Sequence, residues 1–107
     1  MNNAHLYARM MVYKDAIDFY GDDMQLTVAL EEMTELSKEI CKYKRADGDR
    51  GHIAEEIADV MICLEQMQMI FDVNCQVQDW MRKKVERLRE RIAEHREEPK
   101  VMKQTHE

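Results

Sequence analysis

Apolar residues along this chain recur at alternating steps of three and four, the spacing of helices that bury one face. Leu6, Met10, Tyr13, Ile17 and Tyr20 form the first such stripe and predict a helix over about residues 3–20. Gly21 follows, suited to the left-handed conformation that ends a helix. Asp22 or Asp23 is placed to cap a second helix, whose stripe is Leu26, Ala29, Leu30, Met33, Leu36, Ile40 and Tyr43. Lys42, Lys44 and Arg45 near its end suit the negative pole of a helix. The run Ala46-Asp47-Gly48-Asp49-Arg50-Gly51 is the clearest break, short enough to make the flanking helices antiparallel neighbours. A third helix is predicted from about His52 to Phe71 and is apolar almost all round: Ile53, Ile57, Val60, Met61, Ile62, Leu64, Met67, Met69, Ile70 and Phe71. In a four-helix monomer of this size each helix should keep a wet face. Helix 3 is therefore expected at a subunit interface, in a homodimer or homotetramer, with its methionines as adaptable packing. Asp72 to Asn74 is the next break, with Asn74 as a cap, and a fourth helix carries Val77, Trp80, Met81, Lys84, Val85, Leu88 and Ile92 on or beside its inward stripe. Pro99 stops that helix. The expectation is an all-α, antiparallel four-helix bundle, one domain over residues 1–98, followed by a mobile C-terminal tail, 99–107.

Composition agrees with helices, because 107 residues include only three Gly and one Pro. The charge balance of 16 basic against 22 acidic residues, net −6, excludes the broad positive surface that nucleic-acid polymers require. Cys41, Cys63 and Cys75 are odd in number and widely spaced, which predicts reduced, mostly buried thiols in a cytoplasmic protein. The N-terminus shows no basic region followed by an apolar run, so no secretory signal is expected. The longest uninterrupted apolar run, Val60 to Leu64, is far short of the roughly 20 residues that span a bilayer.

The candidate chemistry lies in two acidic runs, Glu31-Glu32-Met33-Thr34-Glu35 and Glu55-Glu56-Ile57-Ala58-Asp59, one on each side of the central break. Helical residues three apart share a face, so Glu32 pairs with Glu35 and Glu56 with Asp59. If helices 2 and 3 fold back on each other, the two pairs meet. Four carboxylates in a partly desolvated pocket repel, and without a cation some would take up protons. An all-oxygen set of this kind favours a hard divalent cation, Mg²⁺, Mn²⁺ or Ca²⁺, over zinc or copper. A carboxylate that the metal does not fully engage, Glu32 or Glu35, can act as a general base.

These residues resemble the motif of the MazG-like all-α nucleotide pyrophosphohydrolases, Glu-Glu-x-x-Glu followed after a variable spacer by Glu-x-x-Asp. The motif reads here as Glu31-Glu32-Met33-Thr34-Glu35 and Glu56-Ile57-Ala58-Asp59. The similarity continues through Leu36 and Lys38, Glu55, and Val60-Met61-Ile62, and more loosely to Trp80, Lys84 and Arg87, covering about residues 24–92. The resemblance implies that Glu32, Glu35, Glu56 and Asp59 coordinate Mg²⁺. It also implies the reaction: hydrolysis of a nucleoside triphosphate to the monophosphate and pyrophosphate, in the service of nucleotide-pool house-cleaning.

Other residues have a bland reading beside the functional one. Glu31 and Glu55 point about one helical step of 100° away from the proposed centre; they are solvated acids or, functionally, orient the ligands. Lys84 and Arg87, within the basic run from Arg82 to Arg91, belong to a solvated face or bind the triphosphate. Arg50 is a loop arginine that could reach a phosphate. Trp80 and Tyr43 are core or interface aromatics either of which could stack on a base. His52 lies four before Glu56, but no Glu has a His three residues on, against a di-iron carboxylate site; His5, His95 and His106 are read as surface residues. Two rival functions stand beside the hydrolase. One is a non-catalytic helical oligomeric interaction module; the other acts on a different diphosphate-containing metabolite.

Overall fold

The computed structural model describes residues 3–98, so the expected tail, His106 and Pro99 lie outside the described residues. Four α-helices are present and no strand occurs among the described residues: α1 Asn3–Tyr20, α2 Asp22–Lys44, α3 Arg50–Phe71 and α4 Asn74–Arg96. The chain divides into two compact units that part between Asp72 and Val73. Helices α1, α2 and α3 make the first unit, and α4 belongs to the second; the single domain over 1–98 stays an expectation.

In the first unit α2 and α3 form the principal pair, and α1 packs on both. A five-residue connection, 45–49, returns the chain so that α3 runs antiparallel beside α2. Tyr13, Ala29, Val60 and Cys63 form the buried apolar core, together with Gln66. That core is thin, and Leu30, Ile40 and Tyr43 of the predicted α2 stripe are exposed.

The turns differ from the sequence reading in physical detail. Gly21 has φ 92° and ψ 154°, an extended mirror-image conformation rather than the left-handed helical one, and it is itself the N-cap of α2. Such backbone is open almost only to glycine. Asp22 and Asp23 therefore do not cap; they sit in the first turn, where their charge favours the positive pole. Arg50 is the first residue of α3 rather than a loop residue, because Asp49 caps that helix by accepting a 2.8 Å hydrogen bond from the Gly51 amide. Asp72 closes α3 in the left-handed region, φ 56°. Asn74 begins α4 without capping it. The three cysteines are free as expected, but only Cys63 is buried; Cys41 and Cys75 are exposed.

One polar constellation ties α1 to α3. Glu65 is the only charged residue of α3 after Asp59. It accepts from the buried Tyr13 hydroxyl and from Arg9, whose Nε and Nη2 lie 3.3 Å from its two oxygens. Burial, then the bond to Glu65, pushes the Tyr13 hydroxyl pKa up, so it remains a protonated donor. Beside it, Gln25 Nε2 donates to Gln66 Oε1 at 2.8 Å. Tyr13→Phe removes one donor to a carboxylate at little change of shape, and is expected to cost about 1–2 kcal/mol. In a unit of this size that is a Tm loss of roughly 5–10 °C by circular dichroism; an unchanged Tm would show the bond adds nothing.

Candidate metal centre

Glu32 reaches the site from α2. It sits one turn after buried Ala29, at the margin of the face that α2 turns to α3, and is half-buried there. Glu56 and Asp59 come from α3, one turn before buried Val60 and Cys63 respectively, so the same packing that closes the helix pair holds both carboxylates inward. One oxygen from each of Glu32, Glu56 and Asp59 lies within 4.8 Å of the others. Oxygens bound to a single Mg²⁺ at about 2.1 Å can be at most about 4.2 Å apart, so these three need close by only about half an ångström.

The electrostatics report strain that a cation would relieve. Glu56 Oε1 is buried and has no hydrogen-bond partner. A buried carboxylate oxygen without a donor is costly, and a metal ion is one of the few groups that repays it. Burial first, then the charges of Asp59, Glu32, Glu35 and Glu55 in that order, push the Glu56 carboxyl pKa above its ordinary value. Burial also raises the Cys63 thiol, and the charges of Glu32 and Asp59 add to it. Cys63 is thus the buried group next to the acidic trio, a neighbour the spacing Asp59-x-x-x-Cys63 could have signalled.

The fourth expected ligand stands apart. Glu35 is exposed, with its carboxylate 3.8 Å from the Lys38 ammonium, and its oxygens are not part of the trio, although its charge reaches Glu56. Glu31 is exposed and lines a shallow depression of about 250 Å³ with Leu30, Thr34 and Glu35. Glu55 is exposed; it acts on Glu56 through charge alone. His52 is exposed, its Nδ1 3.8 Å from Asp49, and takes no part in the trio.

On α4, Lys83 and Lys84 lie 5.2 and 5.5 Å from the centre of the Trp80 ring, so this tryptophan is a half-exposed platform for its own helix's cations rather than a core residue. Arg87, with Arg82, Lys83, Glu86 and Glu90, lines an open groove of about 500 Å³. Glu86 pairs with Arg89 and Asp79 with Arg82, whereas Lys84 and Arg87 have no carboxylate partner among the described residues.

The constellation missed in the sequence is Arg9–Tyr13–Glu65. Its signal was present: Arg9 and Tyr13 are four apart on α1, and a lone acid inside the apolar run 60–71 must find a cation. No helix among the described residues is long and apolar enough to cross a membrane. Compared with protein-family models, with curated proteins and with solved structures, the chain gives no match in any of the three.

Proposed function

We propose that this protein is a Mg²⁺-dependent nucleoside triphosphate pyrophosphohydrolase of the MazG-like all-α kind, converting a (d)NTP and water to the (d)NMP and pyrophosphate. The observation that carries the reading is the convergence of Glu32, Glu56 and Asp59 on one point, with Glu56 Oε1 buried and lacking a donor. These three carboxylates would hold the cation, and Mn²⁺ suits the same oxygen donors. Such a cation, when bound, neutralises charge on phosphate oxygens and makes a coordinated water acidic. Glu35, exposed and outside the trio, is the carboxylate left to accept the proton of the attacking water. The resemblance assigns the triphosphate to Lys84 and Arg87 of the second unit, which have no carboxylate partner among the described residues. Glu55 adds its negative charge beside Glu56, and Glu31 is a solvated acid on the neighbouring surface. The expected assembly is a homodimer or homotetramer, and the expected role is clearance of surplus or unwanted nucleotides in the cytoplasm.

Phosphorus NMR of products across a panel of nucleotides, with and without Mg²⁺, tests the reaction. Pyrophosphate plus monophosphate is the expected outcome, only with the metal. Orthophosphate plus diphosphate would overturn it, and a non-catalytic helical module would give no product at all.

A further inference from the structure

Helix α4 buries none of its residues, and its apolar side chains are not scattered. Met81, Val85, Leu88 and Ile92 recur at steps of four, three and four and stay exposed at 55%, 62%, 53% and 42%. At 100° per residue the four lie within about 30° of one line, the narrow a and d seam of a coiled coil rather than the broader stripe of a core-facing helix. Charge is sorted around that line. The Asp, Glu, Lys and Arg side chains within about 90° of it are Arg82, Arg89 and Arg96 on one side and Lys84 and Arg91 on the other, all of them basic. The acids of the helix, Asp79, Glu86, Glu90 and Glu94, all stand about 130° or more away. In heptad terms every e and g position from Arg82 to Arg96 is basic. Arg82 and Arg89 reach back to Asp79 and Glu86, but these pairs are exposed and weak enough to be exchanged for another carboxylate.

We propose that this seam docks an acidic amphipathic helix of another protein, about three heptads long, with aliphatic residues at a and d and Glu or Asp at e and g. Charge selects the occupant. A second α4 is excluded: parallel pairing sets Lys84 beside Arg89 of the second copy, and antiparallel pairing sets e against e and g against g, basic on basic either way. None of the other three helices answers the description. On α1 Arg9 and Lys14 mix with Asp15 and Asp18, and the exposed Met24, Leu30 and Ile40 of α2 fall out of heptad step. The exposed row Ile57, Met61 and Leu64 of α3 is bordered by Ala58, Val60 and Met67, and by Glu65, which Arg9 and Tyr13 already hold. An anionic membrane is the weaker match. A helix lying in a bilayer interface turns its aromatic residues into the apolar face, whereas Trp80 stands about 110° from the row with Lys83 and Lys84 against its ring.

The test uses the full chain and two labelled synthetic peptides of three heptads with Leu at a and d, one carrying Glu and the other Lys at e and g. By fluorescence anisotropy the wild-type chain is expected to bind the Glu peptide at least about tenfold more tightly than the Lys peptide, with the affinity falling as salt is added. Helical ellipticity should rise on mixing. Arg82→Glu, Arg89→Glu and Arg91→Glu together should reverse the preference; Lys84 is left in place because the resemblance gives it to the triphosphate. Leu88→Ala should weaken the Glu peptide without changing which peptide is preferred. Equal affinity of the wild-type chain for the two peptides, or none for either, would overturn the proposal. Binding to phosphatidylserine vesicles that the Glu peptide does not displace would overturn it too, and would give the face to an anionic membrane. The two peptides compared on the wild-type chain decide the matter even where the triple variant fails to fold. No turnover is read, so the outcome is independent of the proposed reaction.

Discussion

Asp59→Asn and Glu56→Gln are each expected to lower turnover by on the order of 10³-fold or more while raising the Tm of the metal-free protein. On the proposed function the two effects have opposite sign, because the trio would hold a cation and is a cluster of like charges without it. Removing one of three ligands forfeits several kcal/mol of transition-state charge stabilisation, and each 1.36 kcal/mol is about tenfold in rate. Without metal, the same substitution removes one of the like charges that raise the Glu56 carboxyl. Native Glu56 binds its proton more tightly than the unfolded chain does, so its contribution to stability is full below the ordinary carboxylate pKa of 4.5 and is lost as pH rises through the raised native value. The metal-free wild type should therefore gain Tm on acidification from neutral pH toward the carboxylate range relative to Glu56→Gln, and the difference should vanish in saturating Mg²⁺. A native-state ligand at 100 times its Kd adds about 2.7 kcal/mol, on the order of 10 °C for a unit this small. Thermal melts against Mg²⁺ should show that gain for the wild type and not for Glu56→Gln. Glu35→Gln separates the roles: the Mg²⁺-dependent Tm gain stays, turnover is lost and helical content is unchanged. A wild-type Tm indifferent to Mg²⁺ and Mn²⁺ would sink the metal centre, and turnover that survives both Glu35→Gln and Asp59→Asn would remove these residues from the mechanism.

Gly48→Ala is expected to destabilise the first unit by about 2–3 kcal/mol, the upper range for forcing volume into a filled site. A Cβ at Gly48 would stand 2.5 Å from Tyr43 Cα, 2.7 Å from its nitrogen and 2.8 Å from its Cβ. All three belong to the last turn of α2, and backbone held in a helix cannot step aside as a flexible side chain would. The loop must shift instead, and with it the start of α3. A Tm loss on the order of 10 °C or more follows, and the Mg²⁺ gain should weaken too, because this loop sets the register of Glu56 and Asp59 against Glu32. Gly51→Ala is the control. Its Cβ would meet only the Asp49 Oδ1 at 3.3 Å, and alanine is favoured at a helical position, so the change should be within about 0.5 kcal/mol of neutral. Equal stability of Gly48→Ala and wild type would show that the turn relaxes without consequence.

Helix positions were legible in the sequence because apolar spacing reports local geometry directly. The predicted 3–20 and 52–71 differ from Asn3–Tyr20 and Arg50–Phe71 by two residues at most. The turns were less legible, since whether Gly21 or Asp22 caps α2 depends on a backbone angle that composition does not encode. Three of the four predicted ligands converge: i to i+3 spacing sets Glu56 beside Asp59, and the packing of α2 on α3 brings Glu32 to them. Glu35 stands apart for a reason the spacing hides: it lies about 60° farther than Glu32 from the direction of buried Ala29, and that small rotation separates a half-buried acid from an exposed one.

The chain's own pattern of apolar and acidic residues was enough to specify four helices, the breaks between them, and two acidic motifs facing one another across a short turn. These are consequences of local periodicity and of a loop too short for anything but an antiparallel return. Tertiary packing decided which carboxylates lose water, left Glu56 Oε1 without a donor, placed Cys63 against the trio and gave Glu65 its partners on α1. Such facts depend on contacts between residues 20 to 60 positions apart, where a rotation of one helix by a fraction of a turn exchanges a buried group for a solvated one, and no local pattern sets that rotation.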